Sequence, residues 1–339
     1  NCFDISMWQL FAALVAGGST AIYPDTLVQR PASLATHLDG DGVTVAQFVP
    51  SYLNVFLDTL EAASADRPSL DTLSHLVLIG EALQHGSVAR WFSLYPRVPL
   101  MNAYGPTEAS DSVTHFDMRQ PPKGTMVPIG RPIQNMAIYV VDSAMRLCPV
   151  GVKGEICITG VGVGRGYLFD DARTSQVFVP DTIAASSGRY LYKTGDIGCN
   201  APDGTLLFFG RRDFQVKIRG HRIELGEVES CLAAIDGVRD AAVISREMAA
   251  GDTALVGYVT AKTASAVTAE SLTRLLAERL PRYAVPEVIR VLPELPVMSN
   301  GKVDRRALAA RAIDRPEMTP GTGALTETER ALVRIWCEV

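Results

Sequence analysis

Val43-Thr44-Val45-Ala46-Gln47-Phe48-Val49 is an apolar, partly β-branched run of strand length, and Ser51 to Ala62 directly after it reads as a helix. Leu76 to Ile79 repeats the strand signal and Leu83 to Phe92 the helical one. Strand, helix, strand, helix in close succession is the α/β pattern of a mainly parallel sheet covered by helices. Downstream, from Ala137 to Phe209, the character changes to short strands parted by Gly, Pro and Asp, as at Ala137 to Val141, Glu155 to Thr159 and Thr205 to Phe209. A smaller α/β unit follows. It has a helix from about Leu225 to Ile235, strands at Ala241 to Ser245 and Leu255 to Ala261, a helix from Ala269 to Leu280 and a strand near Val288 to Leu292.

Composition narrows the classes. The 339 residues are 47% hydrophobic and 20% charged with a net charge of −5, so a globular chain of two or three domains is expected and no basic field invites nucleic acid. Apolar runs such as Leu10 to Ala16 are far too short to span a bilayer. The six cysteines are scattered, without metal-ligand spacing to the five histidines, and free thiols in a reducing cytoplasm are expected. The chain opens on Asn1-Cys2-Phe3-Asp4 without an initiator methionine, straight into an apolar helical pattern, as a cut through a domain would. Pro316 to Gly323 reads as a linker, and Thr326 with Glu329 forms a capping-box pattern that starts a further helix.

Several stretches carry polar chemistry that local structure does not demand. Gly154 to Leu168 runs a strand into a glycine-dense turn, which implies close backbone approach or positive φ and lacks the acidic partner of a dinucleotide site. Asn102-Ala103-Tyr104-Gly105-Pro106-Thr107-Glu108 offers an aromatic ring, a hydroxyl and a carboxylate around a forced turn. Tyr192-Lys193-Thr194-Gly195-Asp196 offers a carboxylate able to accept two ribose hydroxyls. Gly210 to Glu224 packs seven charges into fifteen residues, and Asn300-Gly301-Lys302 is a hairpin-turn signal with a lysine at its tip. Each stretch has a plain structural reading as well: a tight turn, a capped loop, a turn aspartate, a solvated edge strand, a surface lysine.

In series, these segments resemble the core motifs of adenylate-forming enzymes, specifically the amino-acid-activating domains of nonribosomal peptide synthetases. The matching segments are Phe3 to Ser6, Asn102 to Glu108, Gly154 to Leu168, Tyr192 to Ile197, Gly210 to Glu229, Leu280 to Pro286 and Asn300 to Arg305. The resemblance covers about residues 1 to 310, and the tail from Leu325 resembles the first helix of a carrier domain. Gly164 and Ala284 stand where the family often has Ala and Met. The family's phosphate-wrapping loop would precede Asn1 and the phosphopantetheine-bearing serine would follow Val339, so the fragment alone is expected to be inactive.

The resemblance implies residues 1–212 as the C-terminal portion of a large subdomain, with mainly parallel sheets plus a β-rich part. A smaller mobile α/β subdomain then spans 213–312 after a hinge at Asp213, followed by a linker at 313–324 and a carrier start at 325–339. It implies Tyr104 stacking on adenine with Gly80 beside it, Asp196 accepting the ribose hydroxyls with Arg211 adjacent, and Thr107 and Glu108 meeting the α-phosphate and Mg²⁺. Lys302 is the implied cation for adenylate formation, and Lys217 with Arg219-Gly220 faces the site during thioester formation. Asp4 is implied to pair with a substrate ammonium, although a helix cap is its plain reading. Ile5, Trp8, Gln47, Val77, Ile79, Ala103, Asp111 and Ser112 would line the rest of the pocket, with Gln47, Asp111 and Ser112 implying a polar substrate side chain and the bulk of Trp8 and Ile79 a short one. ATP, Mg²⁺ and a carrier-borne phosphopantetheine are the implied reactants and cofactors, and the carrier domain and other synthetase modules the implied partners. An acyl- or aryl-CoA ligase, a nucleotide-binding remnant and a carrier or scaffold role remain as alternatives.

Overall fold

The structure, a computed structural model, describes residues 4–63, 67–184, 190–212, 215–248, 253–262, 267–297 and 303–311. Two compact units result, the first comprising Asn1–Glu227 with Glu247–Thr253, the second Val228–Arg246 with the residues from Ala254 onward. Among the described residues no helix is long and apolar enough to cross a membrane.

The first unit begins with α1 (Ile5–Val15), α2 (Asp25–Val28) and α3 (Pro31–Gly40). β1 (Val45–Phe48), α4 (Pro50–Ala62), β2 (His75–Leu78), α5 (His85–Leu94) and β3 (Leu100–Tyr104) then supply the expected alternation. β1, β2 and β3 are parallel neighbours, with Gln47 opposite Val77 and Val77 opposite Met101. α4 shows why the alternation folds this way: Leu53, Phe56, Leu57 and Leu60 recur at i, i+3, i+4 and i+7 and are all buried. They join Leu34, Leu76, Leu78, Trp91 and Leu100 in one core between helices and sheet. Pro50 at the first position of α4 costs nothing, because that N–H has no helical acceptor. β4 (Thr114–Met118) and β5 (Arg131–Pro132) extend the sheet antiparallel.

A second sheet of the first unit is antiparallel. It is ordered β10 (Leu206–Arg211), β9 (Tyr190–Asn200), β7 (Gly154–Gly160) and β6 (Met136–Val141), with β8 (Phe178–Pro180) also paired to β9 and α6 (Asp171–Val177) before it. Next comes a two-stranded hairpin, β11 (Gln215–Ile218) and β12 (His221–Glu224), where the charge-rich stretch suggested a lone edge strand. The hairpin counts with the first unit, whereas the sequence reading groups everything after Asp213 with the smaller one; hydrogen bonds described below account for the difference. Asp213 itself lies outside the described residues.

The second unit carries most of α7 (Leu225–Ala233), then β13 (Val238–Glu247), β14 (Thr253–Ala261), α8 (Ala269–Ala277), β15 (Val288–Leu292) and α9 (Arg305–Ala310). α8 opens on a Thr268–Ser271 capping box and buries Leu272 and Leu276, one turn apart. Ala242, Ile244, Val256, Tyr258 and Leu308 form its core. Lys302 and residues 312–339, the expected linker and carrier helix among them, lie outside the described residues.

Candidate active site

The C-terminal ends of parallel strands are where open α/β sheets bind ligands, because the connecting loops leave a crevice there. β1 ends at Phe48, β2 runs out into Ile79-Gly80-Glu81, and β3 ends on Tyr104. The ring of Tyr104 is buried, and its hydroxyl donates to Asp196 Oδ2 at 2.6 Å. Asp196 lies on β9, directly opposite Arg211 on β10 in the strand register. The Arg211 guanidinium donates to Asp196 Oδ1 at 2.9 Å, so both carboxylate oxygens are held. The Asp196 backbone N–H bonds the Thr194 hydroxyl at 2.9 Å, which in turn donates to the Ile156 carbonyl. Burial pushes the Asp196 carboxyl up, against the opposing pull of Arg211, Tyr104 and Lys217. The Tyr104 phenol is raised as well, first by burial and then by the carboxylate beside it.

Glu108 sits in the short 3₁₀ turn Thr107–Ala109 after β3. Its side chain is 8% exposed and doubly engaged: the Tyr167 hydroxyl donates to Oε1 at 2.6 Å and the Arg222 guanidinium to Oε2 at 2.7 Å. Burial alone would raise the Glu108 carboxyl, but Arg222 and Tyr167 outweigh it and the group lies below its ordinary value. The glycine-dense turn holds this arrangement by backbone contact. Gly164 N–H donates to the Glu108 carbonyl at 2.8 Å and Ser110 Oγ to the Gly162 carbonyl at 2.7 Å. A Cβ on Gly162 would lie 2.9 Å from the Ala109 carbonyl oxygen, so the backbone would have to shift, and one on Gly164 would lie 3.2 Å from the Glu108 carbonyl oxygen, a tight contact that needs a smaller adjustment.

The expected pocket residues divide. Val77, Ile79 and Ala103 are buried together, with Ile5 packed against them. Asp4 caps α1 by accepting from Ile5 N–H at 2.9 Å, so its plain reading is realised with one oxygen. Its charge is nevertheless felt at two other groups. Asp111 is raised to about 6 by burial and then by Asp4, with Lys217 opposing. Lys217 is lowered by the protein around it, then by Arg222 and Arg211, while Asp196 and Asp4 oppose. Lys217 as a whole residue is nevertheless exposed on β11. Ser110 and Asp111 both adopt positive φ, 63° and 75°, and a Cβ on Gly105 would overlap the Asp111 carbonyl, so the loop crosses itself too closely for any residue but glycine there. Ser112 Oγ pairs with His115 Nε2 at 2.9 Å. Gln47 accepts from Gln9 at 3.0 Å. Trp8 is 41% exposed and is not in the apolar cluster. Thr107 is exposed, and Gly80 has φ of +99°.

Two participants escape the sequence reading: Tyr167 and Arg222. They lie inside quoted motifs, but nothing in their spacing shows that both aim at Glu108.

A donor set of one buried carboxylate and one nearby hydroxyl matches a cation that keeps its waters and shares a substrate phosphate, as Mg²⁺ does. Among the described residues no group of three or more His, Cys, Asp or Glu could hold a metal without such help. Glu108 and Thr107 therefore fit the expected ion in partnership with a phosphate, each Glu108 oxygen keeping a lone pair beside the hydrogen bond it accepts.

Residues 2–168 match the family model of AMP-binding enzymes and residues 227–302 that of the AMP-binding enzyme C-terminal domain, in that order. The isonitrile lipopeptide synthase of Mycobacterium tuberculosis (strain ATCC 25618 / H37Rv) is 42% identical over 310 residues, which is 91% of this chain and 12% of that protein. A dimodular nonribosomal peptide synthase of Bacillus subtilis (strain 168) is 37% identical over 344 residues, 99% of this chain and 14% of that protein. The chain thus spans only a small part of these relatives. Among solved structures, the Vibrio cholerae adenylation domain AlmE, in complex with glycyl-adenosine-5'-phosphate, superposes with a TM-score of 0.77 at 26% identity, covering 91% of this chain and 56% of that one. With both family models matched in sequence order, the chain belongs to the AMP-binding enzymes, as an adenylation domain of the nonribosomal peptide synthetase kind.

Proposed function

We propose that this domain activates an amino acid with ATP and passes the acyl group to the phosphopantetheine thiol of a carrier domain within a multi-module synthetase. The observation that carries the proposal is the Tyr104–Asp196–Arg211 cluster. It presents a buried ring and a fixed carboxylate at the end of β3, an adenosine-shaped recognition site, a few residues before Glu108. In the first step a substrate carboxylate oxygen attacks the α-phosphorus, the bond to the bridging oxygen breaks, and pyrophosphate leaves. In the second a thiolate attacks the acyl carbon and AMP leaves. Asp196 orients the ribose, Tyr104 stacks on the base and its hydroxyl holds Asp196 in place. Mg²⁺, when bound, supplies charge neutralisation of the phosphates. Lys302 is assigned the cation that meets developing negative charge in the first step. Lys217, on β11 within the electrostatic reach of Asp196, is assigned to the second, and turning about Asp213 exchanges the two.

The amino-acid class is supported by a carboxylate at Asp4 whose field reaches Asp111 and Lys217. The cap that Asp4 provides to α1 favours a second reading, an acyl- or aryl-CoA ligase, in which Asp4 has no substrate role. Pyrophosphate exchange by the full-length protein across a panel of amino acids and aryl or fatty acids decides between them. Exchange that depends on an amino acid supports the first reading, and exchange driven only by acids lacking an amine overturns it.

A further inference from the structure

The β11–β12 hairpin turns on Arg219-Gly220, whose φ values of +50° and +77° are those of the two central residues of a type I′ turn. Arginine rarely adopts such a conformation. The turn directs the Gly220 N–H to Glu81 Oε1 at 2.8 Å, across 139 residues of sequence. The other oxygen, Oε2, accepts from Ser51 N–H at 2.8 Å, a donor in the first turn of α4 that no helical carbonyl can reach. Glu81 is therefore fixed from below by α4 whatever the hairpin does, and it holds one acceptor oxygen out to the turn. The fit at Gly220 admits no side chain. A Cβ there would lie 2.6 Å from Val49 Cγ1, and one on Gly80 would already touch Gly220 Cα at 3.8 Å. The two glycines let the backbones meet, and a charged acceptor on a backbone N–H is among the stronger hydrogen bonds. A further hold of the hairpin on its surroundings is Arg222 on Glu108.

We propose that Glu81 is a positioning residue that latches the β11–β12 hairpin, which carries Lys217, through Gly220 N–H, and so serves acyl transfer and not adenylate formation. This rests on the two-step reading above. The Ser51 bond makes the latch permanent on one side, and the Gly220 bond makes it releasable on the other.

The test uses the full-length protein with Glu81→Ala, Glu81→Gln and Gly220→Ala. Hydrogen exchange across residues 215–224 is measured together with each half-reaction, the second started from synthetic aminoacyl-adenylate and a phosphopantetheinylated carrier. Losing a charge-assisted bond predicts roughly 10- to 100-fold faster exchange of the hairpin amides in Glu81→Ala and Gly220→Ala. Acyl transfer slows by roughly 10-fold or more in both, and adenylate formation in Glu81→Ala stays within about twofold of the parent. Glu81→Gln, which keeps an acceptor, recovers part of the loss. Gly220→Ala leaves the Ser51 contact alone, so it separates a latch from a mere cap on α4. Parental hairpin exchange in both Ala variants overturns the proposal, as does equal loss of both half-reactions in Glu81→Ala. A parent protein that forms no adenylate overturns the functional reading instead, and the exchange data alone then decide whether Glu81 holds the hairpin.

Discussion

The Arg222 guanidinium donates to Glu108 Oε2 at 2.7 Å, joining residues 114 apart in sequence and tying the hairpin strand β12 to the turn after β3. Glu108 is the better buried partner, at 8% against 29% side-chain exposure. Its carboxyl lies below the ordinary value of 4.5, so the pair contributes stability in full above that pH and loses it as pH falls through the folded value. Arg222→Ala leaves Glu108 buried with Tyr167 as its remaining partner, and a destabilisation of about 2 kcal/mol at pH 7 is expected. The loss shrinks towards pH 4, where protonation removes the unpaired charge. Urea unfolding midpoints at the two pH values check this, and a pH-independent difference would show that the pair is not the cause.

Tyr104→Phe keeps the ring and removes only the donor to Asp196. About 1–1.5 kcal/mol is expected, roughly a tenfold rise in the KM for ATP with little change in amino-acid KM. Without that donor the Asp196 carboxyl, already raised by burial, rises further. The acid limb of ATP use therefore moves to higher pH. Pyrophosphate exchange followed from pH 5 to 8 reads both effects, and an unmoved limb would mean that Asp196 is not the titrating group.

The alternation of Val43 to Phe92 was legible because each of its elements is long enough to show a period: α4 displays a full i, i+3, i+4, i+7 face, and β1 and β2 are apolar runs. The hairpin was not. Its turn is Arg-Gly where Asn-Gly is the usual signal, and its strands carry charge because their partners are charged residues far away in sequence. For the same reason Asp196 and Arg211 could be matched by motif, while Glu81 could not be found: its role exists only where residues 51, 81 and 220 meet. The glycine-dense turn left two readings open, and both are realised: Gly160 and Gly166 have φ of +138° and +132°, while Gly162 meets the turn that carries Glu108 by close backbone approach.

Asp4 has two assigned tasks, and a pair of substitutions separates them. Asp4→Asn keeps a capping oxygen for Ile5 N–H, whereas Asp4→Ala loses it at about 1 kcal/mol of stability. If the carboxylate also meets the substrate ammonium, both variants weaken amino-acid use by about 2–5 kcal/mol, roughly 30-fold or more, and leave the KM for ATP nearly unchanged. Unaltered amino-acid kinetics in Asp4→Asn would reduce Asp4 to a cap.

Asp111 is raised to about 6, by burial first and by Asp4 second. A carboxyl raised in the folded state favours folding below its unfolded value of 3.8 and loses that contribution as pH rises through about 6. Asp111→Asn removes the penalty, so the variant is expected to gain about 1 kcal/mol over the parent at pH 7.5 and roughly a third of that at pH 4.5, figures discounted for the residue's partial exposure. Thermal unfolding at the two pH values measures it. A gain that is the same at both, or a loss at pH 7.5, would mean that the Asp111 charge is paired.

Lys217 and Lys302 are assigned to different half-reactions, and their kinetics can be pulled apart. Lys217 lies on β11, enclosed near Asp196 and Asp4, while Lys302 falls in an Asn-Gly sequence late in the chain, after β15. A lysine whose ammonium is lowered by the protein around it and steadied by two carboxylates is costly to keep empty-handed, which suits a group waiting for an anionic acyl-adenylate. Lys217→Ala is therefore expected to slow acyl transfer by about 2–3 kcal/mol, roughly 30- to 160-fold, and to affect adenylate formation far less. Lys302→Ala is expected to do the reverse, costing adenylate formation about 3 kcal/mol or more if it acts as a typical donor to developing charge. The two are compared in the full-length protein, with pyrophosphate exchange for the first step and loading of a phosphopantetheinylated carrier from synthetic adenylate for the second. Opposite patterns support a division of labour that needs both lysines in turn at one place, and hence a rotation about Asp213. Equal losses in both steps for either variant would assign that lysine to binding common to the two, and the exchange of catalytic surfaces would lose its footing.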